Sequence, residues 1–179
     1  MKLFVIRHGQ TSYNIGNRVC GSTDAPLNAE GIRQAELAAQ RLLGTHIDAI
    51  YSSPLRRALN TAQIIAPSVN IDKASIIVDS RLAEQDYGLY EGVDAATPGF
   101  QKLRVQFACS MPQGESAIRA AARAYSFLDE ICGKASGKSI LLATHGSLCR
   151  AINSYFYNMT NDEYFKFIPN NCEILEYEV

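Results

Sequence analysis

Short apolar runs alternate along the chain with segments whose apolar residues recur at helical spacing. Four such runs predict strands, at residues 2–7, 47–51, 75–78 and 139–143. The alternating pattern of residues 173–178 is typical of an exposed edge strand. Helices are predicted between the strands, at about 28–43, 54–65, 100–107, 115–132 and 148–157. This order predicts an α/β fold, a three-layer α/β/α sandwich with a mostly parallel central sheet and an antiparallel edge strand.

Length and charge narrow the picture. The chain has 179 residues, of which 47% are hydrophobic, and this is typical of one domain with a substantial core. We therefore expect residues 1–179 to form a single domain. The formal net charge of -1 provides no global field that would gather nucleic acid or an acidic membrane surface. We expect neither partner, and any anion site must be local.

The five cysteines are scattered, odd in number and without a C-x-x-C pair: Cys20, Cys109, Cys132, Cys149 and Cys172. This usage argues against a disulfide framework or a zinc site and favours reduced thiols in a cytoplasmic protein. The apolar run at residues 3–6 is short and ends in Arg7, which indicates a strand rather than a signal peptide.

Two of the three histidines occupy equivalent places, because His8 and His145 each follow an apolar strand and precede a glycine. Ligands of parallel sheets bind at the carboxyl ends of the strands. We therefore expect both imidazoles at one edge of the sheet; the alternative is two unrelated buried histidines. His46 lacks this context and is interpreted as a loop residue.

A third strand end leads into a helix that begins near Arg56 and Arg57. Helix N-termini favour anions, and the planar guanidinium matches phosphate oxygens in a bidentate fashion. Together with Arg7, an arginine here would surround a phosphoryl group beside the two imidazoles. The alternative, a solvated surface charge, is the interpretation that we favour for Arg56.

These residues belong to an ordered set of motifs that spans essentially the whole chain, and the set resembles the histidine phosphatase superfamily, also called the phosphoglycerate mutase-like family. The matching segments are residues 7–14, 24–35, 52–62, 82–92, 112–116 and 144–146, with Asn171 near the family's final asparagine. The chain departs from the common pattern at Gln10, Cys20, Tyr90 and Ser147. These departures weaken any transfer of substrate specificity.

The resemblance implies a nucleophile and an acid. His8 would accept the phosphoryl group as a phosphohistidine, because a neutral imidazole keeps one free lone pair while a carbonyl in the turn at residues 9–11 orients its other nitrogen. Glu84 would protonate the leaving oxygen and later activate water. Asp86 and Glu91 are the nearest rivals, and a solvated loop charge is the alternative for Glu84.

The remaining predicted site residues bind phosphate or substrate. Arg7, Arg57 and His145 would hold the equatorial oxygens, where the charge of a loose transition state is spread. Further contacts are expected from Asn14, the Gly146 N–H, Cys20 and Gly21. We expect His145 to be protonated when phosphate is bound.

Three alternative functions fit the sequence less well. A metallohydrolase would use His8, His145, Asp24 and Asp86, but arginines beside these ligands disfavour a cation, so no metal ion and no cofactor are expected. The segment 133–139 resembles a P-loop but precedes a strand, which indicates a turn. A catalytically silent phosphate-binding module is the third alternative.

Within the family, the chain favours a phosphatase over a mutase. Family phosphoglycerate mutases carry a basic insertion that holds the substrate carboxylate. Here Lys102 and Arg104 are the only basic residues between Gly92 and Gly114. We therefore expect a small, less anionic phosphorylated metabolite; a mutase or an alpha-ribazole phosphatase is the alternative. A homodimer could form through the strand that carries Ile174, Tyr177 and Val179.

Overall fold

The computed structural model describes residues 1–135 and 137–179. The strands are β1 (Lys2–Arg7), β2 (Ala49–Ser52), β3 (Ile77–Val78), β4 (Ser139–Thr144) and β5 (Ile174–Glu178). The α-helices are α1 (Ser12–Ile15), α2 (Ala29–Arg41), α3 (Arg56–Ile65), α4 (Pro98–Arg104), α5 (Ala117–Lys134), α6 (Gly146–Phe156) and α7 (Asn161–Lys166). Short 3-10 helices lie at Ala66–Val69, Lys73–Ser75, Ser80–Leu82 and Gly88–Tyr90.

The strands form one mixed sheet in the order β3-β2-β4-β1-β5. The pairs β1–β4, β2–β4 and β2–β3 are parallel, whereas β5 runs antiparallel to β1 at the edge. The predicted α/β class, with its mostly parallel sheet and antiparallel edge strand, is confirmed.

Alternation along the central strands explains the two buried faces. On β1, Phe4 and Ile6 join a core that includes α2 and α3, whereas Leu3 and Val5 face a second core that includes α5 and α6. Successive side chains of a strand point to opposite faces, so a continuous apolar run needs a helical layer on each side. This packing places β1 and β4 inside the sheet, between helices on both faces.

Several predicted boundaries were wrong. The strand predicted at 75–78 is limited to the two residues of β3, both exposed at the sheet edge, because Lys73–Ser75 form a 3-10 helix capped by the Asp72 side chain. Helix α3 begins at Arg56 rather than Pro54, and α4 begins at Pro98 rather than near Phe100. The short helices α1 and α7 were not predicted, although each begins with a capping box.

The P-loop-like segment 133–139 connects a helix to a strand. Helix α5 ends at Lys134, the Lys138 N–H donates to the Ala135 carbonyl, and β4 begins at Ser139. Ser136 in this segment lies outside the described residues. Across the described ranges, none of the helices has both the length and the apolar character needed to cross a bilayer.

Candidate active site

The parallel pairing of β1 and β4 brings the two strand-end histidines together. Arg7 is paired with Thr144, and the His8 N–H donates to the Thr144 carbonyl at 2.9 Å. The imidazole centroids lie 5.1 Å apart, and both side chains are buried. The prediction that both imidazoles emerge at one edge of the sheet is confirmed, which excludes two unrelated buried histidines.

His8 is held with one nitrogen available. Its Nδ1 lies 2.7 Å from the Gly9 carbonyl oxygen and therefore carries the proton, which leaves a lone pair on Nε2. The Nε of Arg57 lies 3.3 Å from this Nε2 and donates to it. Burial, followed by the charges of Arg57 and Arg7, holds the pKa of His8 well below its ordinary value of 6.5. The imidazole is thus neutral at neutral pH, as a nucleophile requires.

Arg57 lies in the first turn of α3 and is completely buried. Its Nη1 donates to the Thr23 carbonyl and its Nη2 to the Gly21 carbonyl, both at 2.7 Å. Arg56 instead forms an exposed ion pair with Asp24, as expected for a surface arginine. The loop that contains residues 21–23 therefore orients the guanidinium beside His8.

Glu91 holds that loop in place. Its carboxylate accepts hydrogen bonds from the backbone N–H groups of Gly21, Ser22, Thr23 and Tyr87 and from the Thr23 hydroxyl. A Cβ at position 21 would lie 2.1 Å from the Gln85 carbonyl oxygen, so only glycine fits there. The Gly21 N–H is thus bonded to Glu91, and its carbonyl acts through Arg57.

His145 and Arg7 each keep a buried nitrogen that has no partner among the described residues, Nδ1 and Nε respectively. The other nitrogen of His145 lies 2.7 Å from the Ser53 hydroxyl, and Arg7 Nη1 donates to the Pro169 carbonyl at 2.7 Å. Burial lowers the pKa of Arg7 and holds that of His145 well below 6.5, with Arg57 as the next cause for His145. Buried unpaired nitrogens at one edge are suited to an anionic ligand.

A cavity of about 330 Å³ opens over His8. The predicted residues that line it are Arg7, His8, Asn14, Cys20, Glu84 and Gly146. Arg57 and His145 are buried next to His8 instead, and Gly21 does not line the cavity. The Asn14 amide is oriented by the Thr11 N–H, which donates to its Oδ1 at 2.9 Å.

Glu84 is the only one of the three candidate acids that lines this cavity within the described part of the chain. Its Oε1 accepts from the Gln85 N–H at 2.9 Å and its Oε2 from the Ser147 N–H at 3.1 Å. Asp86 instead accepts from the Ser22 hydroxyl and the Gly88 N–H. Glu84 is buried rather than a solvated loop charge.

The ligands of the metallohydrolase alternative do not converge. Asp24 is bonded to Arg56, and Asp86 to the segments around Ser22 and Gly88. Among residues 1–135 and 137–179, no group of three or more His, Cys, Asp or Glu side chains is placed to hold a metal ion.

Sequence reasoning missed Ser53, Arg150 and the role of Glu91. Arg150 lies one turn after Gly146 on α6, and this spacing places both residues on the same helix face. Its side chain is 6% exposed and lines the cavity. The helical spacing from the His-Gly motif could have identified Arg150. No local spacing identifies Ser53 or Glu91, because the groups that they contact, His145 and Gly21, are distant in sequence.

Known proteins are similar to this chain over nearly its full length. A protein named "Probable phosphoglycerate mutase GpmB" from Yersinia pestis (strain Pestoides F) is 35% identical, over 97% of this chain and 83% of its own length. The native structure of the mycobacterial glucosyl-3-phosphoglycerate phosphatase has a TM-score of 0.84 and 28% identity, covering 98% of this chain and 88% of that chain. A phosphoserine phosphatase from Entamoeba histolytica, in complex with 3-phosphoglyceric acid, has a TM-score of 0.82 and 29% identity, covering 98% and 89%. Residues 3–179 match the model of the histidine phosphatase superfamily (branch 1), and the chain belongs to this superfamily.

Proposed function

We propose that the chain is a phosphomonoester phosphatase that acts on a small phosphorylated metabolite through a phosphohistidine on His8, without a metal ion or cofactor. One observation carries the proposal: the lone pair on His8 Nε2 lies beside Arg57, at the sheet edge where Arg7 and His145 each keep a buried nitrogen without a partner among the described residues. A neutral nucleophile among cationic and neutral donors suits attack on a phosphoryl group.

The reaction has two steps. The Nε2 of His8 attacks phosphorus, the bond to the leaving oxygen breaks, and Glu84 in its acid form gives that oxygen a proton. A water oxygen then attacks phosphorus and the P–N bond breaks, while the Glu84 carboxylate takes the proton of the water. Arg7, Arg57 and His145 hold the phosphoryl oxygens, with Asn14 and the Gly146 N–H as neutral donors and Cys20 at the cavity wall.

A mutase is the second candidate, because a relative at 35% identity is named as a phosphoglycerate mutase. A mutase would return the phosphoryl group of His8 to a second hydroxyl instead of to water. Both enzymes share the first step, so they differ in the acceptor. Release of inorganic phosphate, measured against isomerisation of 3-phosphoglycerate in the same reaction, separates them.

Hydrolysis of para-nitrophenyl phosphate tests the chemistry directly. We expect activity that resists EDTA, vanishes in His8→Ala and persists in His46→Ala, a matched change of an exposed histidine. Activity lost in EDTA would support the metallohydrolase instead. Bound phosphate with no turnover of any monoester or mutase substrate would support a silent binding module.

Location and assembly stay predictions. The scattered cysteines, free in the structure, favour a cytoplasmic protein. The formal net charge of -1 argues against nucleic-acid partners. A homodimer through β5 is testable by sedimentation equilibrium.

A further inference from the structure

Two further arginines line the cavity, Arg104 at the end of α4 and Arg150 on α6. The Arg150 side chain is 6% exposed, and its Nε has no hydrogen-bond partner among the described residues. Its guanidinium lies 5.8 Å from the Tyr164 ring centroid and 5.9 Å from that of Phe165. Arg104 Nη2 donates to the Phe165 carbonyl at 3.3 Å. Both guanidiniums therefore lie next to α7.

No carboxylate neutralises this pair. Throughout residues 1–135 and 137–179, neither Arg104 nor Arg150 forms an ion pair. The acid that lines the cavity, Glu84, is bonded to the Ser147 N–H. Tyr87, which lines the same cavity, is also neutral, because burial raises its pKa to about 12. A desolvated charge without a partner is unfavourable, and a bound anion removes the deficit.

The two charges lie close enough to influence each other and the phosphoryl site. Burial and then the charge of Arg150 lower the pKa of Arg104. Arg150 also lowers the pKa of Arg7, after burial as the main cause. Arg150 is therefore electrostatically coupled both to Arg7, at the phosphoryl site, and to Arg104.

We propose that Arg104 and Arg150 form a second anion subsite, so that the substrates are small phosphomonoesters carrying a second anionic group, a carboxylate or another phosphate. This inference rests on the proposed function for the phosphoryl site. It replaces the expectation of a less anionic substrate, which considered only basic residues between Gly92 and Gly114. Arg150 lies outside that segment and joins Arg104 only in the fold.

Apolar and aromatic side chains that line the same cavity restrict the organic part of the substrate. They belong to Val19, Tyr87, Phe100 and Ile168. A volume of about 330 Å³ lies at the lower end of the usual range for small-molecule sites. A short carbon skeleton with an anion at each end fits this arrangement.

Three probes separate the sources of the second charge: glycerol 3-phosphate, which has none; 3-phosphoglycerate, with a carboxylate; and propane-1,3-diol bisphosphate, with a second phosphate. We expect kcat/KM for one or both probes with a second anionic group to exceed that for glycerol 3-phosphate about tenfold or more, as a charge-assisted hydrogen bond would provide. Equal values for all three probes would overturn the subsite.

The variants Arg104→Gln and Arg150→Gln should lower this preference about tenfold. Arg119→Gln removes an exposed arginine that does not line the cavity and should leave the preference unchanged. Because Arg150 is buried, thermal unfolding should be measured to show that Arg150→Gln still folds. Arg104 is only half-buried, so Arg104→Gln tests the subsite independently of that concern. A preference that survives in Arg104→Gln, or falls equally in Arg119→Gln, contradicts the assignment.

Binding separates failure of the subsite from failure of the proposed function. Calorimetric titration of His8→Ala with the same probes measures the preference without turnover. If the wild type hydrolyses neither para-nitrophenyl phosphate nor any of these probes, the phosphatase proposal fails. The ratio of the affinities for the probes with a second anionic group to the affinity for glycerol 3-phosphate then still decides the subsite.

Discussion

Glu84 reaches the cavity with both carboxylate oxygens oriented by backbone N–H groups, from Gln85 and Ser147. Such an arrangement holds the group in one geometry, which proton transfer to a leaving oxygen requires. We expect Glu84→Gln to slow phosphoryl transfer from alkyl phosphates by about 10²- to 10⁴-fold. Transfer from para-nitrophenyl phosphate should be retained, since nitrophenolate leaves without a proton.

The initial burst of nitrophenol isolates this first step from the hydrolysis that follows. Asp86→Asn is the control, because Asp86 is bonded to Ser22 and Gly88 and does not line the cavity. Equal loss of the first step for alkyl and aryl substrates in Glu84→Gln would contradict the acid role.

Bound phosphate should change the protonation state of His145. Burial and neighbouring arginines lower the pKa of both, so we expect neutral rings in the free protein at pH 6.5. A bound phosphate dianion favours the charged form, and it should therefore raise the pKa of His145. An NMR pH titration with and without inorganic phosphate measures this shift; a His145 ring that stays neutral in the phosphate complex would refute it.

Sequence alone predicted the residues whose position follows from strand direction. His8 and His145 were expected together because parallel strands end at one edge, and the structure brings their rings to 5.1 Å. The partners of these residues were not predictable in the same way. The Ser53 hydroxyl contacts His145, and the Asn171 amide donates to the His8 carbonyl. Both contacts depend on the paths of loops, which the periodicity of the sequence does not specify.

At the scale of elements, the loop around Gly21 depends on one carboxylate. Glu91 accepts hydrogen bonds from backbone N–H groups of this loop. The Gly21 and Thr23 carbonyls in turn accept hydrogen bonds from Arg57 and hold it beside His8. We expect Glu91→Gln to lower kcat/KM for para-nitrophenyl phosphate about tenfold or more, because an amide NH2 would then face buried donors. Glu36→Gln, an exposed change on α2, is the matched control.

A double-mutant cycle shows whether Glu91 acts through the arginine. In an Arg57→Lys background, the effect of Glu91→Gln should shrink, since the group that Glu91 positions is already altered. Additive losses in the double variant would mean that Glu91 acts independently of Arg57.

The elements that sequence predicted well are those with large buried faces. Helix α2 was predicted because apolar residues recur at helical spacing, and α5 because its segment is long and rich in alanine. Each helix is capped by a side chain, Asn28 or Ser116. The short helices α1 and α7 have too few turns for such a pattern. The length of β3 was overestimated, because its apolar residues were taken to be buried in the sheet and are in fact exposed.

For the whole molecule, burying His8 and His145 in neutral form links stability to pH. Their folded-state pKa values lie well below 6.5, so the unfolded chain binds more protons as pH falls through that value. Each fully affected histidine then costs about 1.4 kcal/mol of folding free energy per pH unit. Carboxylates such as Asp79, whose ordinary pKa of 3.8 is lowered by Arg81, affect the free energy of unfolding only at lower pH.

Urea unfolding between pH 7 and pH 5 therefore isolates the histidines. We expect the wild type to lose stability on acidification within this window, and His8→Asn and His145→Asn each to show a shallower pH dependence. The sign is informative, because the same burial that keeps His8 neutral makes the fold sensitive to acid. A flat wild-type profile, or slopes unchanged in both variants, would mean that these imidazoles are not held neutral by the fold.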